Sequence, residues 1–348
     1  MIALEPGDPL STFSEDDLHQ RLAELNARRF TPATPTEDWR AAIQRLEEDA
    51  LLEGAFLERE LHLAAERCRH CPTDPTGFVA WFEDLRWTGP GQFDPLFDWL
   101  ASAASIAQMK WFLTQEISGE AGFEDLTALT QVRLPAPVKL ELARNYWDEM
   151  GRGQAKGMHG PMLARLAESL GLKPSLRTTV AESLALANTM AGLAANRRYA
   201  YQSVGALGAI ELTAPDRSAA VAAGLKRLGV PSGDRHYFDL HAVLDVKHSA
   251  SWNAEAIAPL VEEGPSIAIA IAQGAIMRLL AGQRCFERYK REFGLNAAAA
   301  KACESDLSLA DQSETNDVGK AALAQSCADV QAITQFGDDH SARPFIGG

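Results

Sequence analysis

His241, Asp245 and His248 stand at offsets of four and seven residues. A helix turns about 100° per residue, so Asp245 falls about 40° to one side of His241 and His248 about 20° to the other. Two imidazoles and a carboxylate therefore share one stripe and can converge on one point. Burying three ionisable groups costs on the order of several kcal/mol each unless they are paired or metal-bound. His236, five residues before His241, lies about 140° around the helix and falls outside the stripe. A polar stripe on a solvated face is the competing reading.

Other segments offer matching groups. Glu116 closes the apolar run Trp111-Phe112-Leu113-Thr114-Gln115, Glu149 follows Asn145-Tyr146-Trp147-Asp148, and Glu211 follows the uncharged segment Val204 to Ile210. Each alone is more often a helix-end or surface acid. Together with the imidazoles they supply the donors of a non-haem iron pair built on facing helices. Glu149 and His159 pose a geometric test. They stand ten residues apart, which an unbroken helix stretches to about 15 Å, too far for one ion. Gly151, Gly153 and Gly157 occupy the interval, so a kink, bulge or unwound turn is expected there. Without that break, His159 is a loop histidine ahead of Gly160-Pro161.

The elements that must position these groups are helical almost throughout, with no period-2 strand and no Asn-Gly hairpin. The fold class is all-α. Ser14 caps a short helix, a longer one opens at Pro35-Thr-Glu-Asp-Trp39, and Pro72-Thr-Asp-Pro75 stops it. A short piece near 76 to 87 ends at the loop Thr88-Gly-Pro-Gly-Gln92. Longer helices are expected at about 94 to 118, 135 to 169 with an interruption, 177 to 227 as one or two helices, 234 to 262 and 264 to 294. This divides the chain into an N-terminal helical arm (1–93), a bundle (94–296) and a weakly helical tail (297–348) with one weak helix near 317 to 332.

Composition bounds the function. The chain has 348 residues, 46% hydrophobic and 23% charged, typical of a globular protein. Its net charge of −14 repels phosphate backbones and anionic lipid, so no nucleic-acid or membrane partner is expected. The apolar run from Gly264 to Met277 is shorter than the roughly 20 residues of a spanning helix and reads as a core helix. The start lacks the pattern of a secretory signal, so a cytoplasmic location is expected. Five cysteines do not make a disulfide framework, and Cys68-Arg-His-Cys71 lacks the second pair a zinc ribbon needs.

Taken jointly, these motifs resemble the haem-oxygenase-like diiron oxidases and oxygenases, the iron-containing redox enzymes. The likeness covers roughly residues 95 to 295 and rests on four stretches: Gln108 to Glu116, Asn145 to Glu149 with His159, Glu211, and Tyr237 to His241 with Asp245 and His248. It implies a haem-oxygenase-like bundle holding two Fe(2+) ions, with O2 as cosubstrate. Glu116, Glu149 and His159 would hold one iron and Glu211, Asp245 and His248 the other, one carboxylate bridging. His241 matches the N-oxygenating branch, where an additional histidine completes the second site. No histidine lies in the early bundle helix to ligate haem. A small organic substrate is implied, oxygenated at an amine nitrogen or, as an amino acid or fatty acid, desaturated or cleaved at a C–C bond. An external electron donor and a homodimer are expected. The alternative is a non-catalytic iron-binding or ligand-carrying bundle.

Overall fold

A computed structural model of the chain describes residues 9–119 and 122–295, and the weak helix expected near 317 to 332 lies outside them. Thirteen α-helices make up the described residues: α1 (Glu15–Phe30), α2 (Trp39–Cys68), α3 (Pro75–Thr88), α4 (Pro95–Ser102), α5 (Ile106–Gly119), α6 (Phe123–Thr130), α7 (Ala136–Glu149), α8 (His159–Leu170), α9 (Ala181–Ala195), α10 (Ala200–Arg227), α11 (His236–Trp252), α12 (Ala258–Glu262) and α13 (Pro265–Glu292). No β-strand occurs among them. The residues up to Phe286 belong to one compact unit, and Glu287 opens a second. Both sides of residue 93 lie in the first.

Local chemistry sets the boundaries. Ser14 accepts a hydrogen bond from the Asp17 amide (3.1 Å) and starts α1, while Asp74 and Asp94 accept from Gly77 (2.8 Å) and Leu96 (2.9 Å) at the starts of α3 and α4, each with proline at the first helical position. The helix expected over 94 to 118 is two helices. Ser105 and Gln108 form a capping box: the Gln108 side chain accepts from the Ser105 amide (2.9 Å), and the Ser105 hydroxyl accepts from the Gln108 amide (3.3 Å). The expected 234 to 262 helix is continuous but locally widened into a π turn at Asn253–Ile257, between α11 and α12.

The core runs from α2 and α3 into the bundle. Phe56, Phe78, Phe82 and Trp252 are fully buried, and the Trp252 indole donates to the Val204 carbonyl at 3.2 Å. Helix α1 is fastened to α9, where Asn188 donates to the His19 carbonyl (3.0 Å) and accepts from Asn26 (2.9 Å). Helix α13 is long and apolar enough to cross a membrane by length and composition, yet its row Ala268, Ile271, Ala275 and Leu279 is buried among other helices, as a core helix requires. It crosses α10 backbone to backbone. A Cβ on Gly205 would stand 1.9 Å from the Ile271 oxygen and one on Gly274 1.8 Å from the Gln202 oxygen, so only glycine fits at either position.

Candidate metal centre

Glu149 is the last residue of α7 and His159 the first of α8. Between them the chain leaves the helix in two short 3-10 turns, with Gly151, Arg152 and Gly153 at φ of +60°, +54° and +81°. Met150 and Met158 form an antiparallel bridge, so the loop folds back on itself. The expected break is present, and it acts by reversing the chain. A Cβ on Gly151 would stand 2.3 Å from the Gly157 carbonyl carbon and 2.6 Å from the Met158 nitrogen, so this closure needs glycine twice over, for space and for its left-handed backbone. The reversal brings His159 Nδ1 to 2.6 Å from Glu149 Oε2.

Two triads of potential ligands result, each with one donor atom per residue inside a 4.8 Å cluster, and all six residues are buried. Glu149, His159 and His241 make the first. Glu211, Asp245 and His248 make the second. The stripe on α11 therefore serves both. Four residues of helix separate His241 from Asp245 by about 6 Å of rise, and that step carries the upper imidazole to α8 while Asp245 and His248 face Glu211 on α10. His241 is thus grouped with Glu149 and His159, where the resemblance alone assigned it to the other set. Its ring lies 4.6 Å from that of His159, edge to face.

The surroundings fix the tautomers. His241 Nδ1 lies 2.7 Å from the Tyr237 carbonyl, which can only accept, so Nδ1 carries the proton and Nε2 is left as a donor atom. His248 Nε2 lies 3.3 Å from Asp148 Oδ2, while its Nδ1 points to Glu211 Oε2 (3.4 Å) and Asp245 Oδ1 (3.9 Å). Asp148 is a partner that sequence did not single out, and it supplies the carboxylate that orients a ligating imidazole from behind. Asn145 donates to Glu211 Oε1 at 2.5 Å.

Burial first, then Glu211, pushes the Glu149 carboxyl up to about 9; burial, Glu211 and Glu149 push Asp245 up to about 10. Burial with His248 holds His159 down at about 4, and burial with His159 does the same to His241. Burial also opposes the imidazolium of His248, but Glu211 and Asp148 outweigh it and push the group up to about 9. His159 Nδ1, His248 Nδ1 and Asp245 Oδ1 are buried without a hydrogen bond, although each lies 2.6 to 3.9 Å from a carboxyl or imidazole atom of a neighbouring group. Donor atoms that crowd together without hydrogen-bonding are arranged for a shared cation, and mixed carboxylate and imidazole donors suit iron.

Glu116 is not in either triad. It lies on α5 and lines a cavity with Arg217 and Arg278. A different acid faces the first triad: Glu124 on α6, whose charge raises Glu149 and His159 and whose Oε1 would lie 3.3 Å from a Cβ on Gly160. Helix α6 was missed in the sequence, although Gly122 followed by Phe-Glu-Asp-Leu offers a helix start with an acidic first turn.

Comparison with known proteins follows this geometry. A family model described as iron-containing redox enzyme matches residues 110–283, half of the chain, and these include both triads. No curated protein matches. Among solved structures, a CADD-like protein of unknown function from Nostoc punctiforme PCC 73102 is similar at 19% identity and a TM-score of 0.46, over 68% of this chain and 97% of that one.

Proposed function

The chain belongs to the family of iron-containing redox enzymes, and from that premise we propose that it is an O2-activating non-haem diiron oxygenase or oxidase of a small organic substrate. The observation that carries this reading is the pair of buried triads served by one helical stripe on α11. Glu149, His159 and His241 would hold one ferrous ion and Glu211, Asp245 and His248 the other. Glu124, whose charge acts on Glu149 and His159, would add a carboxylate at the first, in the role the resemblance gave to Glu116. When bound, two ferrous ions would supply electrons and open coordination positions for the reduction of dioxygen.

The remaining work falls to the chain. Asp148 holds the His248 proton on Nε2 and so keeps Nδ1 available. The Tyr237 carbonyl does the same for His241, and the Tyr237 ring lies 4.1 Å from the imidazole at 43°, closing that face to water. Asn145 pins one oxygen of Glu211 and leaves the other directed at His248.

Anaerobic titration with Fe(II) tests the reading. Binding saturates at two ions per chain, and admission of O2 gives a transient visible chromophore that decays faster with substrate. A plateau at one ion with full activity rejects the pair, and two ions with no O2 chemistry leaves a storage or sensing bundle. Glu124→Gln lowers occupancy of one site while Glu116→Gln leaves both filled; the reverse result returns Glu116 to the ligand set.

A further inference from the structure

Helix α2 leaves part of one face bare. Trp39, Ile43, Leu46 and Ala50 stand at offsets of four, seven and eleven residues, within about 60° of one another around the helix. The three large ones are 64%, 55% and 59% exposed, and every residue from Thr31 to Ala41 is exposed with them. The same line runs on to Leu57 and Ala64, which are fully buried, and a Cβ on Gly192 of α9 would stand 3.0 Å from Leu57 Cδ1. One apolar stripe is therefore covered by the chain in its second half and uncovered in its first. Leu51 is exposed too, but it stands about 110° off the stripe, as a single surface leucine can.

A contiguous apolar row of this kind marks an interaction surface. Trp39, Leu46 and Ala50 also line a groove of about 810 Å³, together with Leu25, Ala33 and Pro35. The charges beside the row are ordered. Arg40 and Glu47 flank it on one side, about 100° and 80° around the helix from Trp39. Glu47 is exposed and makes no hydrogen bond or ion pair among the described residues. The Arg40 guanidinium lies 4.3 Å from the centre of the Trp39 ring and 3.8 Å from Asp38, an exposed pair that holds it weakly. Glu47, Glu48 and the net charge of −14 oppose an anionic lipid surface as the occupant.

The stripe is complementary to itself, as a contact between identical copies must be. Laid antiparallel about a two-fold axis between Gln44 and Arg45, it sets Trp39 against the partner's Ala50 and Ile43 against the partner's Leu46, large on small at the ends and like volumes at the middle. Flanks of the same side then face each other, so Arg40 meets the partner's Glu47, twice by symmetry. A parallel pair would stack Trp39 on Trp39 and hold each Arg40 on the far side from the partner's Glu47. We infer that the chain pairs with a second copy of itself through the first half of α2, antiparallel, with Trp39, Ile43, Leu46 and Ala50 at the seam and Arg40 joined to the partner's Glu47. This gives the expected homodimer a surface, on residues that precede the matched 110–283, and it does not rest on the proposed function, because α2 carries no residue of either triad. A seam of about 16 Å is short for the roughly 800 Å² per partner of a standard interface, so the pair dissociates at micromolar concentration.

Sedimentation equilibrium of the full chain over about 1 to 100 µM is the test. The mass rises from one chain toward two and no further. Ile43→Asp and Leu46→Asp each weaken association at least about tenfold, because each buries a charge in an apolar seam, while Leu51→Asp leaves it unchanged. Arg40→Glu alone and Glu47→Arg alone each weaken it about three- to tenfold, since like charges then meet at two symmetric places. The two reversals together restore it. Circular dichroism reads the helicity of every variant, and should an aspartate variant lose helix, the charge reversals at the exposed Arg40 and Glu47 decide. A single chain at every concentration overturns the inference, and so does a dimer that survives both Ile43→Asp and Leu46→Asp. A double reversal that fails to restore pairing overturns the antiparallel seam. A chain that stays single and sediments with phosphatidylcholine vesicles assigns the stripe to a membrane and overturns the inference too.

Discussion

Two regions of this molecule bury acids to the same depth and treat them differently. Along α2, Asp49, Glu53 and Glu60 are 6%, 6% and 3% exposed, and each meets arginine: Arg21 and Arg28 at Asp49, Arg29 at Glu53, Arg284 at Glu60. In the metal centre Glu149, Glu211 and Asp245 are 5%, 2% and 3% exposed, and among the described residues no lysine or arginine is within ion-pair distance of them. Burial alone therefore does not mark a functional acid. What marks it is burial beside imidazoles and other acids with no lysine or arginine as partner, a condition a fold tolerates only where something else supplies the charge.

The sharpest way to break this comparison is to neutralise one acid in the centre. Asp245→Asn, like His248→Ala, should reduce turnover to background and remove one iron. In chelator, Asp245→Asn should melt higher than the unaltered chain by about 1 kcal/mol, because the unpartnered carboxyl is gone. A lower melting point would show that Asp245 is paired for stability after all. The arm should respond the other way. Arg29→Ala strips Glu53 of its partner and should cost about 2 kcal/mol in chemical denaturation, reduced from the fully buried case because Arg29 itself touches water, with iron stoichiometry unchanged.

Gly151→Ala comes next in size. It forces a side chain into a left-handed backbone position, which alone costs about 1 to 2 kcal/mol, and against the Gly157 backbone, which adds to that, and the loss should appear as weaker iron binding at the Glu149 triad with the Glu211 triad unaffected. Equal weakening of both sites would show that the loop serves global stability.

The smallest effect belongs to Glu15. Hydrogen bonds from His19 first and then Arg59 hold its carboxyl down to about 2, against an ordinary 4.5. A lowered folded-state value stabilises the arm fully above about pH 4.5, and that contribution is lost as pH falls toward 2. Glu15 is largely exposed, so solvent screening keeps the term below about 1 kcal/mol. Acid unfolding of Glu15→Gln should differ from that of the unaltered chain above pH 4.5 and converge with it at the acid end.

How far the centre was legible in the sequence follows from the range of its contacts. The stripe of His241, Asp245 and His248 depends only on helical period, and the interruption between Glu149 and His159 only on local glycine chemistry; both are present in the structure. The capping box at Ser105 and Gln108 was equally local, and a helix assigned on apolar content alone ran through it. Period does not say which neighbour a stripe faces. That Glu116 turns to Arg217, that Glu124 faces the first triad and that Asp148 backs His248 depend on helices brought together over long distances in the chain.

The bridge between Met150 and Met158 has a consequence for the order in which the centre is built. Closing a loop of about ten residues takes about 10 to 100 ns and little chain entropy, so Glu149 and His159 can meet before the bundle exists. His241 must come from 82 residues further along. Loop closure thus lets a carboxylate and an imidazole meet early, while the ligands that complete both triads arrive only when α11 docks.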